Sequence, residues 1–395
     1  MDKTAFDFDK IINRRGTGSY KWDTPEDPDV IPMWVADMDF RTSPAIINAL
    51  EERVRQGIFG YTYVGDDYYD AVVRCFREEH SLEIKREWFI YTSGVVPAVS
   101  AIIKAMTRPG DRIIVQTPAY NCFFSSIRNN DCILAPNPLT IDRDGSFHIN
   151  FEELEKLAAQ EDVRLLLLCN PHNPSGRCWT RAELERVGRI CLDNGVFVIS
   201  DEIHCELTFG GHHYTPFASL GDEFALNSAT CISPSKAFNI AGLQIANILA
   251  PDAETRKRID KAININEVCD VNPFGVAATI AAYNESKPWL EALKSYIWEN
   301  YITLRETVRR DLPEYRLASL EATYLAWLDI RPSGMNSQTV ADMLLKEEKV
   351  MLNPGTMYGP EGEGFIRINL ACPRTLLTTA TERLVRLLKA VKKEA

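Results

Sequence analysis

Residues 164–176 read RLLLLCNPHNPSG. A strand with one wet face alternates polar and apolar residues, whereas Leu165 to Cys169 is apolar without interruption. So short and uniform a run predicts a strand covered on both faces, as in a parallel sheet wrapped by helices. The prolines and Gly176 that follow end the strand and turn the chain. Working outward, RIIVQ (112–116) and CILAP (132–136) precede it, and VFVIS (196–200) and ATCIS (229–233) follow it in the same style. Amphipathic segments such as FEELEKLAAQ and TRAELERVGRICLDNG lie between them. From Trp88 to about Ile248 the rhythm is that of an α/β domain: three layers, with a mostly parallel central sheet and helices on both faces.

The flanks read differently. The first 42 residues are irregular and are assigned to an N-terminal arm, part of a smaller domain. Ser43-Pro44 opens a helix that runs to Gln56 and stops at Gly57, and another helix covers Asp67 to Glu79. Residues 43–282 form the expected large domain. Residues 283–395 form a smaller α+β domain, with WLEALKSYIWENYITLRETVRR, YLAWLDI, a helix over Ser337–Glu348, FIRINLA and a C-terminal helix.

At 395 residues, with 45% hydrophobic and 25% charged, the composition is that of a globular protein. A net charge of −11 argues against nucleic acid and anionic membranes as partners. No apolar run approaches the roughly 18 residues that cross a bilayer. The start, MDKTAFDFDKIINRR, has no apolar segment of a secretory signal, so a soluble cytoplasmic protein is expected. The ten cysteines form no C-x-x-C pair and read as buried small hydrophobes. No metal motif is present: His212-His213 lacks ligand spacing. Neither G-x-G-x-x-G after a strand nor G-x-x-x-x-G-K-[ST] occurs, which excludes a nicotinamide dehydrogenase and a P-loop NTPase.

In an open parallel sheet, ligands bind beyond the carboxyl ends of the strands. Those ends deliver Tyr120, Asn173, Asp201 and Lys236 to one rim. Singly, each is an ordinary turn former or surface residue. Together they suit pyridoxal 5′-phosphate, whose aldehyde needs a lysine amine and whose ring nitrogen needs an acidic partner. Lys236 and Asp201 would fill those roles, with Asn173 on the phenolic oxygen and Tyr120 on the ring face. In TSGVVPAV a glycine turn enters a helix, where free amides and the helix dipole favour a phosphate. Ser93, Gly94, Val95 and Val96 are candidates there, and Ser233 and Ser235 flank the lysine with hydroxyls.

NPHNPSG, SDEIH and SPSKAFNIAGLQ, in that order, resemble the fold-type I pyridoxal-phosphate enzymes of the aspartate aminotransferase superfamily. WVADMDF (34–40), GYTYVGDD (60–67) and FIRINLACPR (365–374) are similar to the MalY/PatB-type branch, the cystathionine β-lyases or C–S lyases. The resemblance spans nearly the whole chain. It implies Lys236 as the cofactor-bearing lysine, Asp201 at the ring nitrogen, Asn173 at the phenolic oxygen, and Tyr120 stacked on the ring. It also implies Arg367 as the clamp on the substrate carboxylate, gripping in bidentate fashion. Tyr61 resembles a tyrosine that reaches the phosphate of a neighbouring subunit, which implies a homodimer. Two positions depart from many aminotransferases. His204 stands where a tyrosine is common, so it is either a partner of the cofactor or Asp201, or a satisfied bystander. Gln244 stands where a phosphate-binding arginine is common.

The resemblance implies α,β-elimination from cystathionine or a related cysteine thioether, giving pyruvate, ammonia and a thiol. The alternatives are an aminotransferase of the same fold and a regulator-binding protein on the same scaffold. Trp34, Asp37, Met38 and Asp39, preceded by Tyr20-Lys21-Trp22, are expected near the substrate mouth. Acidic groups there would suit a thioether with a distal ammonium.

Overall fold

The computed structural model describes residues 6–142, 145–267 and 270–394. Seven strands form the central sheet: β1 (Phe89–Thr92), β2 (Arg112–Thr117), β3 (Ile133–Pro138), β4 (Val163–Cys169), β5 (Phe197–Asp201), β6 (Ser228–Ile232) and β7 (Ala246–Leu249). Their spatial order is β1-β7-β6-β5-β4-β2-β3. All neighbours are parallel except β7, which runs antiparallel to both β1 and β6. The five strands expected from their apolar runs are all present; β1 and β7 are additions.

Uniform apolarity in β4 has the predicted cause. Leu166 and Leu168 pack to one side with Leu184 and Val187, while Leu165 and Leu167 pack to the other with Ala98, Val99 and Ile102. Burying one such leucine is worth about 1.5–3 kcal/mol. In register, Cys169, Asp201 and Cys231 stand side by side, so three strands end on one line. That line is the rim on which the site is built.

Helix α1 (Pro44–Gln56) has the expected ends, with proline in its first turn and Gly57 left-handed at φ 69°. Ser43 holds the N-cap position, but its hydroxyl makes no capping bond. Helices α2 (Asp66–His80) and α3 (Val95–Met106) follow, then α4 (Asn121–Asn129) and α5 (Arg181–Asp193), the last closed by a Thr180–Glu183 capping box. A second, antiparallel sheet contains β8 (Arg316–Leu317), β9 (Leu325–Asp329), β10 (Asn353–Pro354) and β11 (Phe365–Asn369), in the order β8-β9-β11-β10. The N-terminal residues Ile31–Pro32 pair in parallel with Val350–Met351. No helix among the described residues is long and apolar enough to cross a membrane.

Candidate active site

Gly94, Val95, Val96, Tyr120, Asn173, Asp201, His204, Ser235 and Lys236 line one cavity. Each arrives from the carboxyl end of a strand. After β1, Gly94 leads into α3, whose first-turn amides have no acceptor within the helix. Pro97, with no N–H, sits in that first turn, where none is needed. Tyr120 holds the N-cap position of α4. Asn173 lies in the turn after β4, Asp201 ends β5, and Lys236 follows β6.

Burial shapes the electrostatics. It pushes the Asp201 carboxyl up from 3.8 to about 7, against the backbone N–H of Ile203, which donates to Oδ1 at 3.1 Å. It pushes the Lys236 amine down from 10.5 to about 8, with the Arg367 guanidinium adding to the effect. Burial likewise lowers His204 to about 3, helped by the charges of Lys236 and Arg367, so its imidazole is neutral. Its Nδ1 is buried and finds no hydrogen-bond partner among the described residues.

Arg367 lies mid-strand in β11, only 4% exposed. It donates to Asn173 Oδ1 at 3.1 Å and to the Trp34 carbonyl at 2.8 Å, with its guanidinium over the Tyr358 ring. The two sheets therefore meet at the Asn173–Arg367 bond. Ser233 stands behind the cavity wall: its hydroxyl donates to the Ile245 carbonyl at 2.6 Å and accepts from the Ser235 amide at 3.1 Å. Ser93 and Gln244 do not line the cavity. Tyr61 is 97% exposed and does not line it either.

The expected acidic substrate mouth is corrected by the geometry. Asp39 is buried and bound by Arg14 at 2.7 Å, Lys21 at 2.7 Å and the Trp22 indole at 2.7 Å. Asp37 is bound by Arg14 at 2.6 Å. These carboxylates are neutralised by cations of the N-terminal segment itself and anchor residues 34–40. Asn369 bonds the carbonyls of Val35 and Asp37 in the same segment, and Asn239 those of Met38 and Phe40.

That anchored segment supplies what residue types could not announce. The Ala36 carbonyl accepts from Lys236 Nζ at 2.7 Å and from the Tyr324 hydroxyl at 2.9 Å. A main-chain oxygen leaves no mark in a sequence. Tyr324, in β9's approach, was visible only as part of an apolar strand.

A buried carboxylate beside a buried amine, with a helix N-terminus opening on the same cavity, defines a site for an anionic, ring-bearing cofactor. The chain belongs to the aminotransferase class I and II family, whose model matches residues 28–384. Over 381 residues it is 43% identical to cystathionine beta-lyase PatB of Bacillus subtilis (strain 168), covering 95% of this chain and 98% of that protein. It is 34% identical to protein MalY of Escherichia coli (strain K12), covering 98% and 100%. The structure superposes on cystalysin from Treponema denticola, which contains a pyridoxal 5′-phosphate cofactor, with a TM-score of 0.95 and 33% identity, covering 98% and 100%. The three-layer fold expected from the strand pattern is the one these proteins share.

Proposed function

We propose that this chain is a pyridoxal-phosphate-dependent carbon–sulfur β-lyase acting on L-cystathionine or a related cysteine thioether. The observation that carries the reading is the convergence of Lys236, Asp201, Asn173 and Tyr120 on one cavity with Arg367 bonded across to Asn173. The cavity suits the cofactor. Among the described residues Asp201 has a backbone donor but no cation bonded to it, and its raised proton affinity matches a group that will hold a ring N–H. Val95, Val96 and Ser235 line the same space, and their amides and hydroxyl would take the phosphate. Asn173 uses Oδ1 for Arg367, which leaves its Nδ2 hydrogens for the cofactor's phenolic oxygen.

Bound there, pyridoxal phosphate supplies an electron sink for the pair left at Cα when its proton departs. The chain does the rest. Arg367 presents two N–H groups to the substrate carboxylate and so fixes which Cα bond faces Lys236. Lys236, lowered from 10.5 to about 8, is neutral in roughly one molecule in ten at pH 7, far more than an ordinary lysine, and removes the Cα proton as general base. The Cβ–S bond then breaks with its electron pair leaving on sulfur. The three-carbon remainder hydrolyses to pyruvate and ammonia. Tyr120 walls one side of the cavity, and His204, neutral, can offer an unpaired ring nitrogen without adding charge.

An aminotransferase shares every step up to proton removal and differs in where Lys236 next delivers the proton. The family's description favours that second reading; the name of the relative at 43% identity, a cystathionine beta-lyase, favours the first. The cytoplasmic assignment rests on the nine cysteines among the described residues, all of them free. The homodimer, with Tyr61 reaching its neighbour's phosphate, rests on that residue's exposure. The deciding experiment incubates holoenzyme with L-cystathionine and no keto acid while pyruvate, ammonia and free thiol are followed. Sustained equimolar release of all three is expected. No release, with amino-group transfer once a keto acid is added, would overturn the lyase in favour of the aminotransferase.

A further inference from the structure

A larger cavity, about 470 Å³ against about 190 Å³ for the cofactor site, opens where the end of α2 meets the turn beyond β5. Its lining includes Cys75, His80, Cys205 and Glu206. The ligand atoms of His80, Cys205 and Glu206 all lie within 4.8 Å of one another. His80 Nε2 is 3.0 Å from Glu206 Oε1, and Cys75 Sγ is 3.8 Å from that same oxygen. We propose that these four residues form a binding site for a divalent transition-metal cation of the zinc type.

The chemistry of the donor set selects the ion. Two sulfurs, an imidazole nitrogen and a carboxylate oxygen suit zinc, while calcium and magnesium demand mainly oxygen ligands. Around a tetrahedral zinc, neighbouring ligand atoms stand about 3.3–3.8 Å apart, from bond lengths of about 2.0–2.3 Å. The His80, Cys205 and Glu206 atoms, all within 4.8 Å of one another, close on an ion with small movements, and Cys75, which stands outside that group but 3.8 Å from Glu206 Oε1, would turn in to complete the four. The His80 ring is held edge-on by Phe76 and Tyr214, with centroids 5.1 and 4.9 Å away, so its nitrogen is already aimed. Burial raises both thiols, and binding would expel their protons. Two thiolates and one carboxylate on a doubly charged ion leave one net negative charge. Lys294, on the same cavity wall, opposes it.

The location gives the site a consequence. Cys205 directly follows His204, and Asp201 lies just upstream, so a bound ion would tie α2 to the back of the turn that carries two cofactor-pocket residues. The ion would act as a structural clip.

The test uses untagged, reduced holoenzyme, loaded with zinc chloride and desalted. Elemental analysis gives stoichiometry, and competition with a chromophoric chelator gives affinity. One zinc per chain is expected, with a thermal midpoint that rises on zinc addition. Cys75→Ser and His80→Gln should each weaken binding at least about tenfold and abolish the rise. Cys205→Ser should do the same, and cobalt in place of zinc should show a thiolate charge-transfer band that each serine variant diminishes. Cys75 and His80 are half-buried where Cys205 is buried, so their variants keep the test intact if Cys205→Ser does not fold; circular dichroism and cofactor content verify folding. Zinc well below one per chain after desalting, or equal retention in the folded variants, would overturn the proposal.

Discussion

Asp201 holds a charge in a place that resists charge, and that conflict can be measured without turnover. Its folded-state proton affinity, at about 7, lies above the ordinary 3.8. A raised acid contributes its full stability below pH 3.8 and loses it as pH rises through 7, a loss on the order of 4 kcal/mol. In cofactor-free protein, Asp201→Asn should therefore be more stable than wild type at pH 8, with the gap narrowing at pH 5. A urea-melt difference identical at both pH values would remove the buried charge as its cause. In the holoenzyme the order of merit reverses, because the variant cannot keep the ring nitrogen protonated. Lys236→Ala should lower turnover by at least about 10³-fold while the protein stays folded. Arg367→Lys should lower kcat/KM about 10- to 100-fold, since an ammonium cannot bridge two carboxylate oxygens. Normal steady-state kinetics for either variant would strike that residue from its role. Lys236, Asp201, Asn173 and Tyr120 were legible because each follows a recognisable strand. Asp37 and Asp39 were misread because their cations, Arg14 and Lys21, lie well upstream in an irregular segment whose path no periodicity reveals.

At the scale of elements, two glycines separate backbone conformation from space. Gly57 ends α1 at φ 69°, and a β-carbon there would meet nothing within 4 Å. Gly57→Ala should cost only the left-handed penalty, about 1 kcal/mol by chemical denaturation. Gly355 lies beside the strand that carries Arg367, and a β-carbon there would come within 2.7 Å of the Phe365 carbonyl and closer still to that of Gly362. Main chain cannot swing aside, so Gly355→Ala should destabilise by several times as much and reduce activity through displacement of β11. Similar midpoints for the two variants would contradict this account. The same contrast explains what the sequence disclosed. Central strands announced themselves because both faces are buried. β7 did not, since it is four residues long and carries a buried polar Asn247, satisfied by the Tyr68 hydroxyl at 2.7 Å. The two-residue strands β8 and β10 are too short for any period to register. The Cys75, His80, Cys205 and Glu206 cluster was invisible for a related reason: its halves lie on separate elements, and spacing within either half matches no metal motif.

For the whole molecule, the stretch after α1 poses a question that one chain does not answer. Ile58, Phe59, Tyr61 and Tyr63 are 76%, 58%, 97% and 84% exposed, clustered within six residues. A soluble protein rarely leaves so many large apolar side chains together in water, and a second copy offers a symmetric surface to cover them. If the partner's Tyr61 completes the phosphate site, damage to Tyr61 and damage to Lys236 fall on different active sites of a mixed dimer. Tyr61→Phe alone should weaken cofactor retention, and Lys236→Ala alone should be inactive. In a mixed dimer, one site would combine Lys236→Ala with Tyr61→Phe, and the other would be wild type at both positions. Mixing the variants under verified subunit exchange should thus restore activity, toward one intact site in each mixed dimer. Were Tyr61 to serve its own chain, every site would carry one lesion, and mixing would yield no more than the sum of the parents. Dilution adds an independent check, because a shared site predicts that cofactor affinity falls as the dimer dissociates.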